Sequence, residues 1–194
     1  MYEYIYGKVA EKSLNYVVID VNGVGYKINT NVFSINGIKE DTAKFFVYLH
    51  VREEEQTLYG FLTQEERNMF LRLIAISGIG PKVALAILST MTVSETATAI
   101  ITSNVKAFSS VSGVGVKTAQ RIILELKERI QKSEEAEGLL LNGNKAQTGA
   151  VSEAVSALMS LGYSKAQALR AVNSVAKESL SLEELIVTAL KSME

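Results

Sequence analysis

Residues 76–82 read ISGIGPK and residues 111–117 read VSGVGVK. Ser, Gly, an apolar residue, Gly and, two places on, Lys recur at a spacing of 35 residues. Helical patterns flank both copies. TQEERNMFLRLIAIS precedes the first, with Thr63 and Glu66 at capping-box spacing and Met69, Phe70, Leu73 and Ile74 recurring at helical intervals. PKVALAILSTM follows it, and Pro81, the single proline, stands where a first helical residue would be. VSETATAIIT and NVKAFSSV read as short helices and VKTAQRIILELKERIQK as a long amphipathic one. Residues 63–132 are therefore expected to form an all-α tandem helix-hairpin-helix domain.

The hairpins have a chemistry of their own. Gly78 and Gly80 allow positive φ and leave room for another backbone. Ile79 between them anchors the loop inward. The amides of the hairpin and of the next helix start then point outward without partners, which makes an anion site. Lys82 adds a full positive charge beside them. Gly113, Val114, Gly115 and Lys117 repeat the arrangement, with Thr118 and Arg121 within the following turn. Two such units can straddle a duplex and grip phosphates on both strands, positioning the protein without reading sequence.

The charge distribution points the same way. Residues 1–62, 63–132 and 133–194 carry net charges of −2, +4 and −3. The middle segment is where a polyanion binds. Apolar residues make up 47% of the chain, enough for buried cores. The absence of cysteine excludes disulfides, thiolate zinc sites and a cysteine nucleophile. The N-terminal residues do not resemble a signal peptide and no apolar run approaches a membrane span, so a cytoplasmic protein that does not enter membranes is expected.

Upstream, YEYIYGKV, LNYVVIDV, GYKINT, KFFVYLHV and QTLYGFL are short, aromatic and β-branched, separated by turn-prone NGVG and FSINGIKEDT. Five such runs in residues 1–62 predict a small antiparallel barrel of the OB-fold type. Between its last two strands VREEEQ places Glu53, Glu54 and Glu55 at a hairpin tip. In a solvated protein these are an ordinary polar turn; beside DNA they repel phosphates. No second acidic cluster has convincing metal-ligand spacing, so no metal or cofactor is expected. The lone His50 reads as structural.

Downstream, residues 133–149 lose periodicity and read as a flexible linker. Residues 150–194 read as a three-helix bundle, with Gly162 ending the first helix, Ser164 capping the second and Ser181 with Glu184 opening the third. The overall class is multidomain α+β. Two motifs mislead. GVGVKT lacks the Gly directly before Lys that a phosphate loop requires, since Val116 stands there. NGVGY lies between strands, so it is a β-turn rather than a dinucleotide fingerprint. Three other readings stay open on residues alone: a single-strand binder using the barrel aromatics, a repair enzyme with a helix-hairpin-helix clamp, and an adaptor acting through the terminal bundle.

The order NGVGY, VREEEQTLYGF, SGIGPKVALAIL, SGVGVKTAQRIILELK and ALMSLGYSKAQA resembles the RuvA family of Holliday-junction-binding subunits of the bacterial branch-migration machine. The resemblance covers nearly the whole chain. It implies a homotetramer that holds a four-way DNA junction open and square, with a second tetramer on the junction left open. It implies that Ser77, Gly78, Gly80, Lys82, Ser112, Gly113, Gly115, Lys117, Thr118 and Arg121 contact the duplex arms along the minor-groove backbone. Glu53 and Glu54 match the family's acidic pin, which Glu55 extends. The terminal bundle is similar to a ubiquitin-associated module that binds RuvB, the hexameric ATPase motor, through Leu158, Leu161, Tyr163 and Leu190, some expected in the core and some exposed. The RuvC resolvase is a further implied partner. The chain itself is then a non-catalytic subunit with no ATP site.

Overall fold

The computed structural model describes residues 2–138, 148–176 and 180–193, with side chains described outside 129–149. Asn22 and Gly23 take φ of 52° and 87°. Positive φ at both central residues builds the two-residue hairpin whose twist matches its strands. It joins β2 (Tyr16–Val21) to β3 (Val24–Asn29), and Gly23 donates its N–H to Asp20 Oδ1 at 2.9 Å. NGVG is a strand turn, as its context indicates.

β1 (Tyr4–Lys12), β4 (Thr42–Val51) and β5 (Gln56–Phe61) complete a closed barrel in the order β1-β2-β3-β5-β4, with β4 returning to β1 through Tyr4↔Phe46 and Lys8↔Thr42. The five-stranded OB-fold barrel is present, with one correction. β3 and β5 run parallel, pairing Ile28 with Leu58 and Asn29 with Tyr59. Strands that reverse at each connection leave β3 and β5 pointing the same way, so the barrel closes between them in parallel. A second difference is α1 (Val32–Gly37), within a stretch read as a turn. Its N-cap Asn31 accepts the Ser34 N–H at 2.6 Å. Six residues are too few to display a helical period.

Alternation fills the barrel. Ala43, Phe45 and Val47 of β4 point inward against Ile5, Val17, Ile19 and Ile28, all buried. A second core begins on β5, where Tyr59 and Phe61 meet α2 (Gln64–Ile74). Phe70, fully buried, lies 5.8 Å from the Tyr48 ring, 5.4 Å from Tyr59 and 5.1 Å from Phe61. One aromatic ring thus welds the barrel to the helical domain. Phe70→Ala is expected to cost about 3–5 kcal/mol, measured by urea unfolding, with loss of a single cooperative transition across both domains.

The helices follow the sequence pattern: α3 (Pro81–Thr90), α4 (Val93–Ile101), α5 (Val105–Ser109) and α6 (Val116–Gly138). α6 continues past residue 132, so the start of the expected 133–149 linker is helical up to Gly138. Residues 139–147 of that linker lie outside the described residues. α7 (Thr148–Ser160), α8 (Lys165–Val175) and α9 (Leu182–Lys191) form the terminal bundle. Gly162, Ser164, Ser181 and Glu184 take their expected places: φ of +111° at Gly162, and capping boxes at the starts of α8 and α9.

The bundle is seated on the helical domain. Asn68 Nδ2 donates to the Gly162 carbonyl at 3.0 Å, Arg72 Nη2 to that of Met159 at 2.8 Å and Ser94 Oγ to that of Leu190 at 3.2 Å. Those carbonyls lie at the C-terminal ends of α7 and α9, where the regular helical N–H donors run out. A Cβ on Gly162 would stand 3.1 Å from that of Asn68, so the elbow fits closely because it is glycine. Among the described residues, no single helix is long and apolar enough to cross a membrane.

Candidate nucleic-acid interface

Each hairpin is a turn of the same construction. Ile79 N–H donates to the Ile76 carbonyl at 3.0 Å, and Val114 N–H to that of Val111 at 3.0 Å. Gly78 and Gly113 take φ of +86° and +84°, the left-handed region that a side chain resists. Ile79 and Val114 are 4% exposed and pin the loops to the core, as expected. Ser77, Gly78, Lys82, Ser112, Gly113, Gly115 and Lys117 are exposed, Gly80 and Thr118 half-buried.

Gly80 and Gly115 have no such excuse in the backbone. Neither has positive φ, and a Cβ added to either meets no atom within 4 Å. No steric or positive-φ constraint inside the molecule calls for glycine there, only the modest preference of a helix start for glycine over alanine. The open space matters most to something approaching from outside.

The helix starts make the same distinction. α2, α4, α8 and α9 begin with complete capping boxes, in which side chains satisfy the first amides. α3 begins at Gly80–Pro81 with no side-chain cap. Its outward amides, next to exposed Lys82, form a positive pole suited to an anion. Among the described residues neither Lys82 nor Lys117 pairs with a carboxylate, whereas Arg67 pairs with Glu3.

Arg121 does more than expected of a phosphate ligand. From α6 it reaches the other unit, donating Nη1–H to the Ser77 carbonyl at 3.0 Å. This contact uses one of five guanidinium donors. On the other side, Val83 of α3 lies 3.7 Å from where a Gly113 side chain would begin. The two hairpins brace each other. A contact across 44 residues carries no local sequence signal, so reading the chain alone could not find it.

The acidic tip is closed by Arg52 N–H to the Glu55 carbonyl at 2.8 Å. The three glutamates are all exposed but not equivalent. Glu55 turns back along β5, where its Oε1 accepts from Thr57 Oγ1 at 2.7 Å. There its charge helps burial raise the Tyr59 phenol above its usual pKa, burial being the larger cause. Glu53 and Glu54 form the tip proper. Behind them Arg52 Nε donates to His50 Nε2 at 3.0 Å, and the His50 ring stands 6.2 Å from Tyr48 and 6.5 Å from Tyr59. No group of three potential metal ligands occurs among the described residues.

Three family models cover this arrangement segment by segment. The "RuvA N terminal domain" matches residues 1–60, a "SAM-like Helix-hairpin-helix tandem" residues 70–128 and the "RuvA, C-terminal domain" residues 149–194. A protein of Acetivibrio thermocellus named "Holliday junction branch migration complex subunit RuvA" is 44% identical, over 100% of this chain and 98% of its own length. Like-named proteins of Alkaliphilus oremlandii and Cytophaga hutchinsonii are 42% and 41% identical over 98% of the chain.

The chain belongs to the RuvA family.

Its RuvA C-terminal segment departs from one expectation. Leu158, Leu161 and Leu190 are at most 1% exposed and Tyr163 is 9% exposed, so none of the four presents an open face. They pack in a core that runs without break from the helix-hairpin-helix domain into the bundle. Sequence periodicity marks them as apolar but cannot reveal that the bundle is seated on α2 and α4. Tyr163 alone also lines a cavity of about 740 Å³ at that seam, with Thr63, Glu65, Ser94, Gln167 and Arg170 among the other walls.

Proposed function

We propose that this chain binds four-way DNA junctions, holding each arm by the paired hairpins and keeping the crossover open with the Glu53–Glu54 tip. The reading is carried by the bare positions at Gly80 and Gly115, which leave room for a phosphate backbone and for nothing in the protein. Ser77, Gly78, Lys82, Ser112, Gly113, Lys117 and Thr118 surround those positions; Arg121 both braces the first hairpin and adds positive charge. Contacts of this type go to phosphates and carry no base information. Carboxylates at the tip repel the same phosphates and disfavour a collapsed crossover.

The assembly we infer is a homotetramer, one subunit per arm. Its partners are the RuvB ATPase, which supplies the chemical step, and the RuvC resolvase. Residues 1–62 serve as the pin-bearing barrel, 63–132 as the DNA clamp, 133–149 as the connection and 150–194 as the motor-recruiting module. Leu158, Leu161 and Leu190 shape that module from beneath, and Tyr163 reaches its surface at the cavity.

The exposed tyrosines favour a second reading. Tyr2, just before β1, and Tyr4 and Tyr6 within it are 49%, 52% and 58% exposed, and Lys44 Nζ lies 4.0 Å from the Tyr4 ring centre. Aromatic and basic groups on a barrel can stack single strands. Competition between a synthetic four-way junction, linear duplex and single strand separates the two readings. The junction is expected to win; equal or tighter binding of single strand would overturn the clamp. Affinity should fall steeply with salt, and Lys82→Ala with Lys117→Ala should reduce the log–log salt slope by roughly 1 per lysine. An unchanged slope would remove both lysines from the interface.

A further inference from the structure

Three of the four capping boxes keep to their own helix start; the box of α2 does not. The Glu66 carboxylate accepts from Thr63 N–H at 3.2 Å and Thr63 Oγ1 at 3.3 Å, closing the box. It also accepts from Asn31 Nδ2 at 2.9 Å and from Ser34 Oγ at 3.2 and 3.1 Å. Asn31 and Ser34, each 1% exposed, belong to the start of α1 in the barrel. Ser34 Oγ in turn accepts the Leu62 N–H at 3.2 Å. One carboxylate therefore ties the helix start of the barrel to the helix start of the DNA-binding domain.

The location gives this joint leverage. β5 leaves the acidic tip at Gln56 and reaches the joint just beyond Phe61. α2 leaves the joint and delivers the first hairpin at Ser77. Eleven helical residues span about 16 Å, so a 10° swing about Thr63 moves that hairpin by roughly 3 Å. The rings around Phe70 hold the domains together without strong direction, because apolar burial is non-directional. The ion pair of Arg67 and Glu3 is open to solvent on the Glu3 side, which is 66% exposed. The bonds to Glu66 are directional and partly buried.

We propose that Glu66 is a positioning residue: it sets the angle between the acidic tip and the hairpins, and through that angle the preference for a four-way junction over linear duplex. The inference rests on the junction-binding reading above. A hairpin needs only its own backbone to grip a duplex arm. A junction must meet hairpins and tip together, so only its binding depends on the joint.

The test is the junction-to-duplex affinity ratio of the full chain at one fixed salt concentration. Glu66→Ala is expected to lower the ratio about tenfold, the scale of losing a hydrogen bond to a charged group. Ser34→Ala, which removes the Ser34 bonds to Glu66 and Leu62 but spares the Asn31–Glu66 bond and the Thr63–Glu66 box, should lower it several-fold, by roughly half as much free energy. Duplex affinity should stay within about twofold in both, which a general loss of stability would not permit. Glu95→Ala is the control. It removes the equivalent box of α4, where Glu95 Oε2 accepts from Thr92 N–H and Oγ1, and should leave the ratio unchanged. An unchanged ratio in Ser34→Ala and Glu66→Ala, or an equal fall in Glu95→Ala, would overturn the proposal. If Glu66→Ala does not fold, Ser34→Ala decides alone. A wild-type ratio near one would overturn the junction reading itself, and the inference with it.

Discussion

Replacing Gly80 and Gly115 together by alanine lowers DNA affinity about 100-fold, on the scale of losing two hydrogen bonds to a charged group, while the chain stays folded. The two halves of this expectation come from different observations. The folded state tolerates the methyl groups because they point into open space and neither glycine has positive φ. Alanine at a helix start in place of glycine costs about 0.5–1 kcal/mol, which for a chain of this size lowers the melting temperature by roughly 1–4 °C each. The DNA is less tolerant. Amides at the hairpin and the helix start can reach a phosphate only if the backbone comes close, and a methyl group stands in the way. Gly78→Ala and Gly113→Ala offer a contrast: there the strain falls on the protein, so stability and binding drop together. Calorimetry alongside junction titration distinguishes the pairs. Undiminished affinity in the Gly80–Gly115 variant would remove the hairpins from the interface.

Glu53→Gln with Glu54→Gln should act in the opposite sense on different DNA. Both side chains are exposed at the tip, so removing their charge leaves stability within about 0.5 kcal/mol. The amides keep the shape and lose the repulsion. Linear duplex then binds as tightly as before or tighter, whereas preference for the junction falls about tenfold at low salt. The effect should shrink as salt rises, because screening reaches about 10 Å at 0.1 M and shortens further above it. Glu55→Gln should do less, since Glu55 is turned back to Thr57. The decisive measurement is the junction-to-duplex ratio at two salt concentrations. No change in either would take the tip out of the mechanism.

Much of this architecture is legible in the chain because it is local. Alternating aromatic and β-branched residues give the barrel strands; Asn22–Gly23 gives one turn; Thr63, Ser164 and Ser181 with their partners three residues on give three helix starts. The hairpins are legible because the motif repeats. What escapes is long-range or too short to have a period. Helix α1 is six residues long. The parallel pairing of β3 with β5 depends on closure of the whole barrel. The contacts from Arg121 to Ser77, Glu66 to Asn31 and Arg72 to Met159 join residues 44, 35 and 87 positions apart. Tyr163 and its leucine neighbours mark the limit of reading by pattern. Apolar residues in a small bundle read equally well as a partner's landing site or as core, and the fold buries all four.

The reach of Arg121 into the neighbouring unit makes the two elbows a caliper with a fixed jaw width. If DNA binds as proposed, a duplex whose phosphates do not suit that width has to widen, narrow or twist to fit. Discrimination between DNA segments would then follow from how easily each one deforms, without any side chain reading a base.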